Sequence, residues 1–505
     1  TYKDITWSTN NNTIATVENG TITGIKAGTA IITATSTKNI NIKAECSVTI
    51  EEIIEISTVE DLYKLAQEIN TGKNSEYTVK LMQDLVVNDG ITYSFEKDTG
   101  LIKVSDNSNE FYIGTGYKGD NSGSNSVFDS NPSAKGVYYI SNENRTNATV
   151  LEGTVNLGEN VVCDTITINE ITIKKWPKIE SYFNGKFDGN EHKISNLFMT
   201  SNGMFYGCSN ISNLKLENSL VVYNGQNVGI LCYSAGGVLD NIHSINNIIC
   251  GGDYTGGIAG FANAFISRCS NSSIVIGKSN SGGIVGQLRE NNIIEDCFNK
   301  GEIFGQEYMG GIVGCSKYGG CEIRYCYNLE NIIAENGIGG IMSQGFKTDK
   351  VTYCYNLGVL KGNYMIGGIV GSDVTVHKCY NSGDINLKNN YAGGICARYS
   401  YVEESYNIGK ISGERFIGGI TGDLGSSTSY PQKCKWLYNK NGNVEYGIGY
   451  NPSNNGCTKY TEESNLWVFN ILDVMNSNST NETEQHFTTT TVRDKNCPVL
   501  KWEIE

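Results

Sequence analysis

The chain contains the segment Gly282-Gly283-Ile284-Val285-Gly286, and closely similar segments recur on both sides of it. Full copies and shorter variants begin at Gly256, Gly282, Gly310, Gly339, Gly367, Gly393 and Gly418, at intervals of 25 to 29 residues. Val228-Gly229-Ile230 is a degenerate first copy. A period of this length indicates that one supersecondary unit is stacked many times, so most of the regularity in the chain is structural.

One repeat contains three short apolar segments, 294–299, 301–303 and 310–314, separated by turn residues. Three short strands per repeat match one turn of a three-faced parallel β-helix, in which isoleucine and valine point inward. We therefore predict an all-β protein whose main body is a right-handed, three-faced parallel β-helix (solenoid). Glycines are expected at its corners, where the backbone bends in a way that a Cβ would not tolerate.

Three other residue types recur at fixed positions, and each is expected to form a column with neighbours about 4.8 Å apart. The cysteine column, in which Ser405 takes the sixth position, is Cys269, Cys297, Cys326, Cys354 and Cys379. The aromatic column is Phe298, Tyr327, Tyr355, Tyr380 and Tyr406. The asparagine column is Asn271, Asn299, Asn328, Asn356, Asn381 and Asn407.

Each column has a structural interpretation. The cysteines are expected to be free thiols that fill a narrow core. The asparagine amides are expected to hydrogen-bond along the axis and to satisfy turn carbonyls. The aromatic rings either stack on one another or form an outward strip that binds sugar rings. A disulfide among seven other cysteines is left open: Cys46, Cys163, Cys315, Cys321, Cys434, Cys457 and Cys497.

The formal net charge is −14, from 39 basic and 53 acidic side chains. This charge disfavours nucleic acid and anionic membrane surfaces as partners. No apolar run is long enough to span a bilayer. The sequence also lacks Cys-x-x-Cys pairs and Cys/His clusters with the spacing of metal ligands.

Residues 1–52 contain five short strands between turn signals. The string ITWSTNNNTIATVENGTITGIKAGTAIITAT, residues 5–35, resembles the bacterial Ig-like domain group 2. The resemblance implies a partial Ig-like β-sandwich of a kind that serves as a spacer on extracellular bacterial proteins. Since the opening strands of that family are absent, we interpret the chain as a fragment of a longer protein.

Residues 53–88 are expected to form an N-terminal cap and the first coil. Ser57-Thr58-Val59-Glu60 resembles a capping box and precedes an apolar pattern, which predicts a helix over about 58–70 that ends near Gly72. A strand pair at 77–82 and 85–87 follows. The helix would cover the open end of the solenoid, whose first coil otherwise exposes an apolar cross-section.

Residues 89–175 break the repeat pattern and predict an irregular insertion with short strands near 136–140 and 165–168. We expect it to carry binding specificity, because rigid scaffolds usually place function on loops. Aromatic side chains in and beside it are the candidate anchors for a glycan or protein ligand. These candidates are Tyr112, Tyr117, Tyr138, Tyr139, Trp176 and Tyr182.

Three further strings resemble the GLUG-motif proteins: STVEDLYKLAQEIN at 57–70, FNGKFDGNEHKISNL at 183–197 and the glycine repeats. The resemblance covers 54–88 and 176–505, with the β-helix over 176–460 and a closing segment over 461–505. It implies an extracellular bacterial protein, and the repeat also occurs in the non-catalytic part of certain immunoglobulin A-cleaving metallopeptidases. The closing string NCPVLKWE is similar to the usual terminal strand of that family.

No catalytic constellation is found in the sequence, so no enzyme activity is expected. Asp188, with Glu191 and His192 nearby, is the strongest carboxylate candidate, but FDGN marks a turn. Zinc protease activity does not transfer, because no His-Glu-x-x-His occurs. No cofactor is expected; calcium bound by Asp120, Ser122, Ser124 and Asp129 is an unsupported alternative, since their order misses the EF-hand pattern.

The sequence hypothesis is a non-catalytic protein of the bacterial cell surface or secreted medium, an adhesin-like scaffold that binds a host protein or glycan. One alternative is a polysaccharide lyase or hydrolase, which requires convergent carboxylates in a groove. Another is a structural stalk or self-associating filament subunit, possibly within a larger secreted protease. The sequence does not separate stalk from adhesin.

Overall fold

The main body of the computed structural model is a parallel β-solenoid of about 13 turns, which confirms the predicted fold class. The structure describes residues 4–72, 77–117, 139–140, 151–158, 161–425, 430–438, 444–461, 487–492 and 495–500. In the last two ranges, and at 139–140, the description is of the backbone.

The N-terminal unit consists of a three-stranded antiparallel sheet and a two-stranded hairpin. Its strands are Ile5–Thr9, Ala15–Glu18, Thr21–Gly24, Gly28–Ser36 and Lys43–Ile50. The five strands predicted from the sequence are confirmed, while membership of the Ig-like family stays a prediction.

The predicted cap is present as the helix Val59–Asn70. Thr58 is its N-cap and accepts a hydrogen bond from the backbone N–H of Asp61, whose carboxylate accepts from Thr58 N at 2.9 Å. The capping partner is therefore Asp61 at the third helical position, where the sequence interpretation had placed Glu60. The helix ends at Thr71, and Gly72 follows with φ 69°.

The helix covers the first coil of the solenoid with its apolar face. Leu62, Leu65 and Ile69 are buried in the main hydrophobic core. Tyr63 packs edge-on against Trp176 at 5.2 Å, and its Oη donates to Lys175 O at 3.1 Å. The leading strands, which pair in parallel with each other or with the first full coil, are Ile53–Ile56, Thr78–Leu81 and Leu85–Val86.

The first coils contain long strands that bend around corners without interruption. Their bounds are Tyr182–Asp188, Lys193–Ser195, Phe198–Met199, Phe205–Glu217, Leu220–Val222, Val228–Gly229, Cys232–Cys250, Thr255–Gly256, Ala259–Ser267, Ser270–Gly282 and Val285–Leu288. Gly229 pairs with Gly256, which confirms Val228-Gly229-Ile230 as the first copy of the repeat.

The later coils divide into shorter strands that stack in four columns. The first column is Ile293–Glu295, Glu322–Arg324, Lys350–Thr352, Thr375–His377 and Tyr401–Glu403. The second is Phe298–Asn299, Tyr327–Asn328, Tyr355–Asn356, Tyr380–Asn381 and Tyr406–Asn407. The third is Ile303–Gly310, Ile332–Gly339, Leu360–Gly362 with Tyr364–Gly367, Ile385–Leu387 with Asn390–Gly393, and Ile411–Ser412 with Arg415–Gly418. The fourth is Val313–Ser316, Met342–Gln344, Val370–Ser372, Cys396–Arg398 and Thr421–Asp423.

Two short pairs complete the chain beyond these columns. Cys434–Tyr438 and Cys457–Thr461 continue the parallel sheet. Phe487–Val492 and Lys495–Leu500 form an antiparallel hairpin, so part of the predicted terminal strand is observed.

The corners of the solenoid are formed by residues with left-handed φ as well as by the repeated glycines. The predicted strand 294–299 is split at Asp296, which has φ 51°, in the left-handed region. Its column of equivalents, with φ between 45° and 54°, is Arg268, Tyr325, Tyr353, Lys378, Glu404 and Lys433. The repeated glycine pairs are absent from the left-handed region, but the second glycine of each pair lies at a bend between two strands, as Gly283 and Gly311 do, so the expected place of these glycines at corners is confirmed.

The glycine pairs also allow the backbones of adjacent coils to approach each other closely. A Cβ on Gly283 would overlap the carbonyl oxygen of Gly311 in the next coil and lie 2.6 Å from Cγ of Asn299. A Cβ on Gly282 would overlap the carbonyl oxygen of Val285. Each pair therefore presses against both the adjacent coil and the asparagine column.

The asparagine column is a continuous hydrogen-bonded ladder, as predicted. The Nδ2 of each asparagine donates to Oδ1 of the next at 2.7 or 2.8 Å, from Asn271 to Asn407. The same Nδ2 also donates to the carbonyl two residues ahead, as Asn299 does to Gly301 O at 2.7 Å. All six side chains are buried, so the ladder satisfies amides that water cannot reach.

The cysteine column is buried beside this ladder as free thiols. Cys326 N lies 3.4 Å from Cys354 Sγ, and Cys379 N donates to Ser405 Oγ at 3.1 Å. Burial raises the pKa of the Cys326 thiol well above its ordinary value. Cys434 extends the column by one coil beyond Ser405, where the sequence had suggested a scattered residue. Every cysteine whose side chain the structure describes is unbridged.

The aromatic column is internal, which settles the two interpretations left open by the sequence. Ring centroids of Phe298, Tyr327, Tyr355 and Tyr380 lie 4.9 to 5.1 Å apart along the axis. Tyr327, Tyr355, Tyr380 and Tyr406 are at most 3% exposed, in a hydrophobic cluster separate from the main core. These rings stabilise adjacent coils by roughly 0.5–1.5 kcal/mol per pair and offer no outward strip.

The described part of the insertion is regular rather than irregular. It forms two antiparallel sheets with strands Thr92–Glu96, Leu101–Ser105, Glu110–Gly114 and Tyr139–Ile140, and Leu151–Gly158, Val161–Ile168 and Ile171–Lys174. Asn88 joins its two ends by donating to Lys174 O at 3.0 Å and accepting from Lys174 N at 2.8 Å. The amphipathic strands were masked in the sequence by the polar loops around them.

The insertion packs on an outward apolar column of the solenoid. Phe304 contacts Phe95 at 5.3 Å and Tyr117 at 5.0 Å, and an ion pair joins Lys97 to Glu302. In register, this column is Val222, Cys250, Ile276, Phe304, Ile333, Lys361, Asn386 and Ser412. It changes from apolar to polar after Ile333, where the packing of the insertion ends.

We predict that Gly340→Ala lowers the free energy of unfolding by about 3 kcal/mol, because the new methyl overlaps Gly368 O and lies 2.7 Å from Cβ of Asn356. Urea unfolding followed by circular dichroism measures the change. Gly114→Ala is the matched control, since a Cβ there meets no atom within 4 Å. Equal stability of the two variants would contradict the close-approach role of the repeat glycines.

We predict that Phe304→Ala loosens the insertion from the solenoid at a cost of about 3–5 kcal/mol, because it removes a fully buried ring from their shared core. Hydrogen exchange should accelerate in Leu101–Ser105 and Glu110–Gly114, while the ladder amides near Asn356 stay protected. Lys361→Ala, in the same column beyond the insertion, is the control and should change neither region. Unchanged exchange in Phe304→Ala would refute the docking role.

Candidate functional site

An open groove of about 500 Å³ lies on one corner of the first coils. We name it the Tyr206 groove. It is lined by Lys178, Glu180, Asn202, Tyr206, Tyr223, Gln226 and Tyr233. Three of its seven lining residues are tyrosines, and two carry side-chain amides.

The register of the solenoid places Tyr206 and Tyr233 on top of each other. Phe205 pairs with Cys232, so the next residues stack, with ring centroids 5.0 Å apart and planes 14° from parallel. Tyr206 is 41% exposed although it is large and mostly apolar. A stacked pair with this exposure presents a rigid aromatic surface to solvent.

Later coils do not repeat this arrangement, because the equivalent position holds a glycine or a small buried residue, Ser343 or Ala397. Gly260, Gly286 and Gly314 occupy the equivalent position, and a Cβ on each would overlap backbone atoms at the corner of the preceding coil. The tyrosines therefore mark the two coils in which this position is open. Their spacing of 27 residues, equal to the repeat period, is the sequence signal by which they could have been found.

The rim of the groove is polar without excess charge. Asn202 Nδ2 donates to Gln226 O at 2.7 Å, and Gln226 Nε2 donates to Asp253 Oδ2 at 3.4 Å. Lys178 and Glu180 form an exposed ion pair at 2.7 Å. The hydrogen bond from Lys178 lowers the pKa of the Glu180 carboxyl and raises the pKa of the lysine in turn.

The predicted binding residues of the insertion are placed as follows. Tyr112 is 6% exposed, and its Oη donates to Glu110 Oε1 at 2.9 Å. Tyr117 is 3% exposed and packs against the solenoid. Tyr139 begins a two-residue strand, and Tyr138 lies outside the described residues. Burial gives Tyr112 and Tyr117 a packing role, so the exposed anchors expected from the sequence are not formed by these two rings.

The remaining two predicted residues hydrogen-bond to the backbone on either side of Tyr206. Trp176 is buried, and its Nε1 donates to Met204 O at 2.8 Å, two residues before Tyr206. Tyr182 is half-buried and donates to Cys208 O at 2.9 Å, two residues after it. Burial raises the pKa of Tyr182. A direct contact of these six aromatic residues with a ligand stays a prediction.

A second groove, of about 590 Å³, lies near the C-terminal end of the solenoid, and we name it the Phe416 groove. Its lining includes Glu414, Arg415, Phe416, Val444, Glu445 and Tyr446. Phe416 stacks on Tyr391 at 4.9 Å and meets Tyr450 edge-on at 5.2 Å. Here too, aromatic rings on successive coils line an open concavity.

The carboxylates singled out in the sequence are engaged in structural contacts. Asp188 Oδ1 accepts from Asn190 N at 2.9 Å and from Asn213 Nδ2 at 3.0 Å, which confirms its turn role. Glu191 accepts from Asn241 at 2.8 Å, and His192 Nδ1 lies 3.2 Å from Asp84 Oδ1. No convergent pair for acid and base chemistry is formed by these residues.

A buried carboxylate missed by sequence reasoning is Glu404, which is 4% exposed. Burial opposes its ionisation, but the hydrogen bond from Lys433 at 2.8 Å and the charges of Lys433, Lys378 and His377 lower its pKa below the ordinary value. Burial also lowers the pKa of Lys378. The cations neutralise this carboxylate within the corner column, which indicates a structural cluster.

The described ranges contain neither a cluster of metal ligands nor a helix that could span a membrane. There, no three His, Cys, Asp or Glu side chains form a group that could hold a metal ion. The predicted calcium loop, with Asp120, Ser122, Ser124 and Asp129, lies outside those ranges. Within the same ranges, no helix has the length and apolar character needed to cross a bilayer.

The chain matches no known family model and no curated protein sequence. Its fold is similar to a solved Bacteroides ovatus protein proposed to be an immunoglobulin A1 protease, with 14% identity and a TM-score of 0.39, over 89% of this chain and 92% of that one. It is also similar to an IgA1 protease, with 12% identity and a TM-score of 0.28, over 78% of this chain and 32% of that one. At these scores neither likeness carries an activity to this chain.

Proposed function

We propose that this chain is a binding scaffold, located outside a bacterial cell, that binds a neutral carbohydrate in the Tyr206 groove. The observation that carries the proposal is the stacked, solvent-exposed pair Tyr206 and Tyr233 within a groove edged by Asn202 and Gln226. The location outside the cell rests on the resemblances of the sequence to extracellular bacterial repeats.

Carbohydrate fits the chemistry of the groove better than other ligands do. A sugar ring has apolar C–H faces, which pack on an aromatic surface, and hydroxyl groups around its edge. Those hydroxyls need donors and acceptors in the same plane, and the amides of Asn202 and Gln226 supply both. A purely apolar ligand would make no use of the remaining hydrogen-bonding capacity of these amides.

The charge of the molecule favours a neutral sugar. The net charge is −14, and the one cation that lines the groove, Lys178, is paired with Glu180. An acidic polysaccharide would therefore meet repulsion without a free positive group to offset it. This argues against the lyase or hydrolase alternative in its usual form, which acts on anionic polymers.

The proposal is for binding without turnover. It is supported by the engagement of Asp188 and Glu404 in structural contacts, which leaves neither placed to serve a ligand in the groove. The stalk interpretation assigns no ligand to the groove. A binding measurement therefore separates the two interpretations directly.

We predict that Tyr206→Ala weakens binding of neutral glycans at least about tenfold, or about 1.4 kcal/mol, because it removes the exposed stacking surface. Wild-type and variant chains would be compared on an array of glucan, mannan and xylan fragments, and affinities measured by calorimetry. Tyr318→Ala is the matched control, because Tyr318 is 56% exposed and lies outside the groove.

Wild-type binding to one of these glycans, lost in Tyr206→Ala and retained in Tyr318→Ala, is the expected result. Equal affinities of the two variants would move the site away from the groove. Absence of wild-type binding to every neutral glycan on the array, with release of products from an acidic polysaccharide, would replace the proposal with the enzyme alternative.

A further inference from the structure

The Tyr206 and Phe416 grooves lie on the same corner of the solenoid. This corner is formed by the residues two and three positions before the first glycine of each pair, and we name it the aromatic edge. Asn202 and Gln226 of the first groove flank Asn227, the left-handed corner residue of its coil. Arg415 and Phe416 of the second groove occupy the positions of Gln226 and Asn227 seven coils later.

The strand register shows that the edge is continuous between the grooves. The first glycines of successive pairs are mutual partners from Gly256 to Gly418, so the residues before them also stack. Five of the seven coils from Gly256 to Gly418 carry an aromatic side chain at an edge position. These side chains are Tyr254, Tyr308, Tyr364, Tyr391 and Phe416, and all are partly exposed.

The aromatic residues of the edge adopt a conformation that bulky side chains rarely take. Tyr254, Tyr308, Tyr391 and Phe416 have φ between 55° and 69°. Asparagine fills the same corner at Asn227 and Asn280 and glycine fills it at Gly337, with less strain, and Met365 fills it in the coil of Tyr364. Rings at these four corners are thus an additional feature of the edge, since the turn itself does not require them.

Polar side chains alternate with these rings along the edge. Asp253, Ser279, Glu307, Asn336 and Asn390 occupy the position beside the corner residue in successive or near-successive coils. Each is at least partly exposed. The coils of Tyr254, Tyr308 and Tyr391 therefore repeat the combination found in the Tyr206 groove, in which an aromatic face lies next to an amide or carboxylate that can bond a sugar hydroxyl.

We propose that the aromatic edge and its two end grooves form one extended site, along which a single neutral polysaccharide chain lies parallel to the solenoid axis. This rests on the proposed function of the Tyr206 groove. Seven coils at about 4.8 Å each separate the grooves, so the bound chain spans about 34 Å. Such a length requires a polymer, and a disaccharide occupies one groove alone.

Charge selects among linear polymers of this length. The carboxylates of Asp253 and Glu307 lie on the edge, and Arg398, beside Tyr391, is paired with Asp423 at 3.2 Å. A polyanion such as nucleic acid or a uronic acid polymer would be repelled at the middle coils. A neutral polyol chain is not repelled by these carboxylates, and it meets a hydrogen-bonding group on most coils.

The test compares short and long glycans on chains with changes at the far end of the edge. The probes are cello-, manno- and xylo-oligosaccharides, from disaccharides to soluble polymers, measured by calorimetry on the full chain. Wild-type affinity should rise with length, by at least about a hundredfold from disaccharide to polymer, because contacts along one chain act together. Phe416→Ala should weaken polymer binding about tenfold and leave disaccharide binding at the Tyr206 groove unchanged.

Phe346→Ala is the matched control, since Phe346 is 45% exposed and lies off the edge, and it should change neither affinity. If Phe416→Ala fails to fold, Tyr446→Ala replaces it, because Tyr446 is exposed on the rim of the same groove. Two disaccharides bound per chain with no gain on lengthening would overturn the extended site. Loss of polymer binding in Tyr206→Ala, with Phe416→Ala and Tyr446→Ala both unaffected, would also overturn it while leaving the proposed function intact. No effect of Tyr206→Ala on any glycan would refute both.

Discussion

A buried column of asparagine amides constrains the solenoid more than any other feature. Each amide must satisfy two N–H donors and one carbonyl oxygen away from water, and the ladder does so through its neighbours above and below and its own turn. Each hydrogen bond of the ladder therefore requires the asparagine of the adjacent coil to lie at the matching position along the solenoid axis. A coil that shifted by one residue would leave buried amides unpaired, so the ladder fixes the register of successive coils.

The ladder in turn explains the glycines by which the repeat is recognised. From Gly257 to Gly394, the second glycine of each pair lies against the asparagine of the column that follows it in the sequence, and a side chain there would occupy the volume of the amide. Since the interior is determined in this way, variation between coils is confined to outward positions. The two outward features are the apolar column under the insertion, centred on Phe304, and the aromatic edge. In both features, the constant spacing between coils brings side chains that are far apart in sequence into line.

The fold was predictable because its signals are periodic. The spacing of Gly282, Gly310 and Gly339 gave the stack, and the asparagine that recurs two residues after each member of the cysteine column gave the ladder. The left-handed corners were not predicted, because that φ is adopted by Tyr308, Asp296 and others, and no residue type marks that conformation across the coils. The insertion was predicted, but its regular sheets were missed, because their buried face, with Ile102 and Phe111, is complementary to another part of the chain. Pairing between distant segments leaves little trace in local composition.

The same distinction applies to the candidate site, and it favours the edge over the insertion as the place of recognition. Sequence reasoning selected aromatic residues by their density near an irregular segment, which led to rings such as Tyr117 that the fold buries. Exposure depends on the position within a coil: Tyr206 replaces a glycine whose equivalents are covered, and Phe416 occupies a corner where a smaller residue suffices. Packing does not account for a ring at a position where the ring adds strain or exposed apolar area. The presence of such a ring therefore indicates another cause. A ligand that covers such rings on successive coils removes that apolar area from water, and only a ligand as long as the edge does so for all of them.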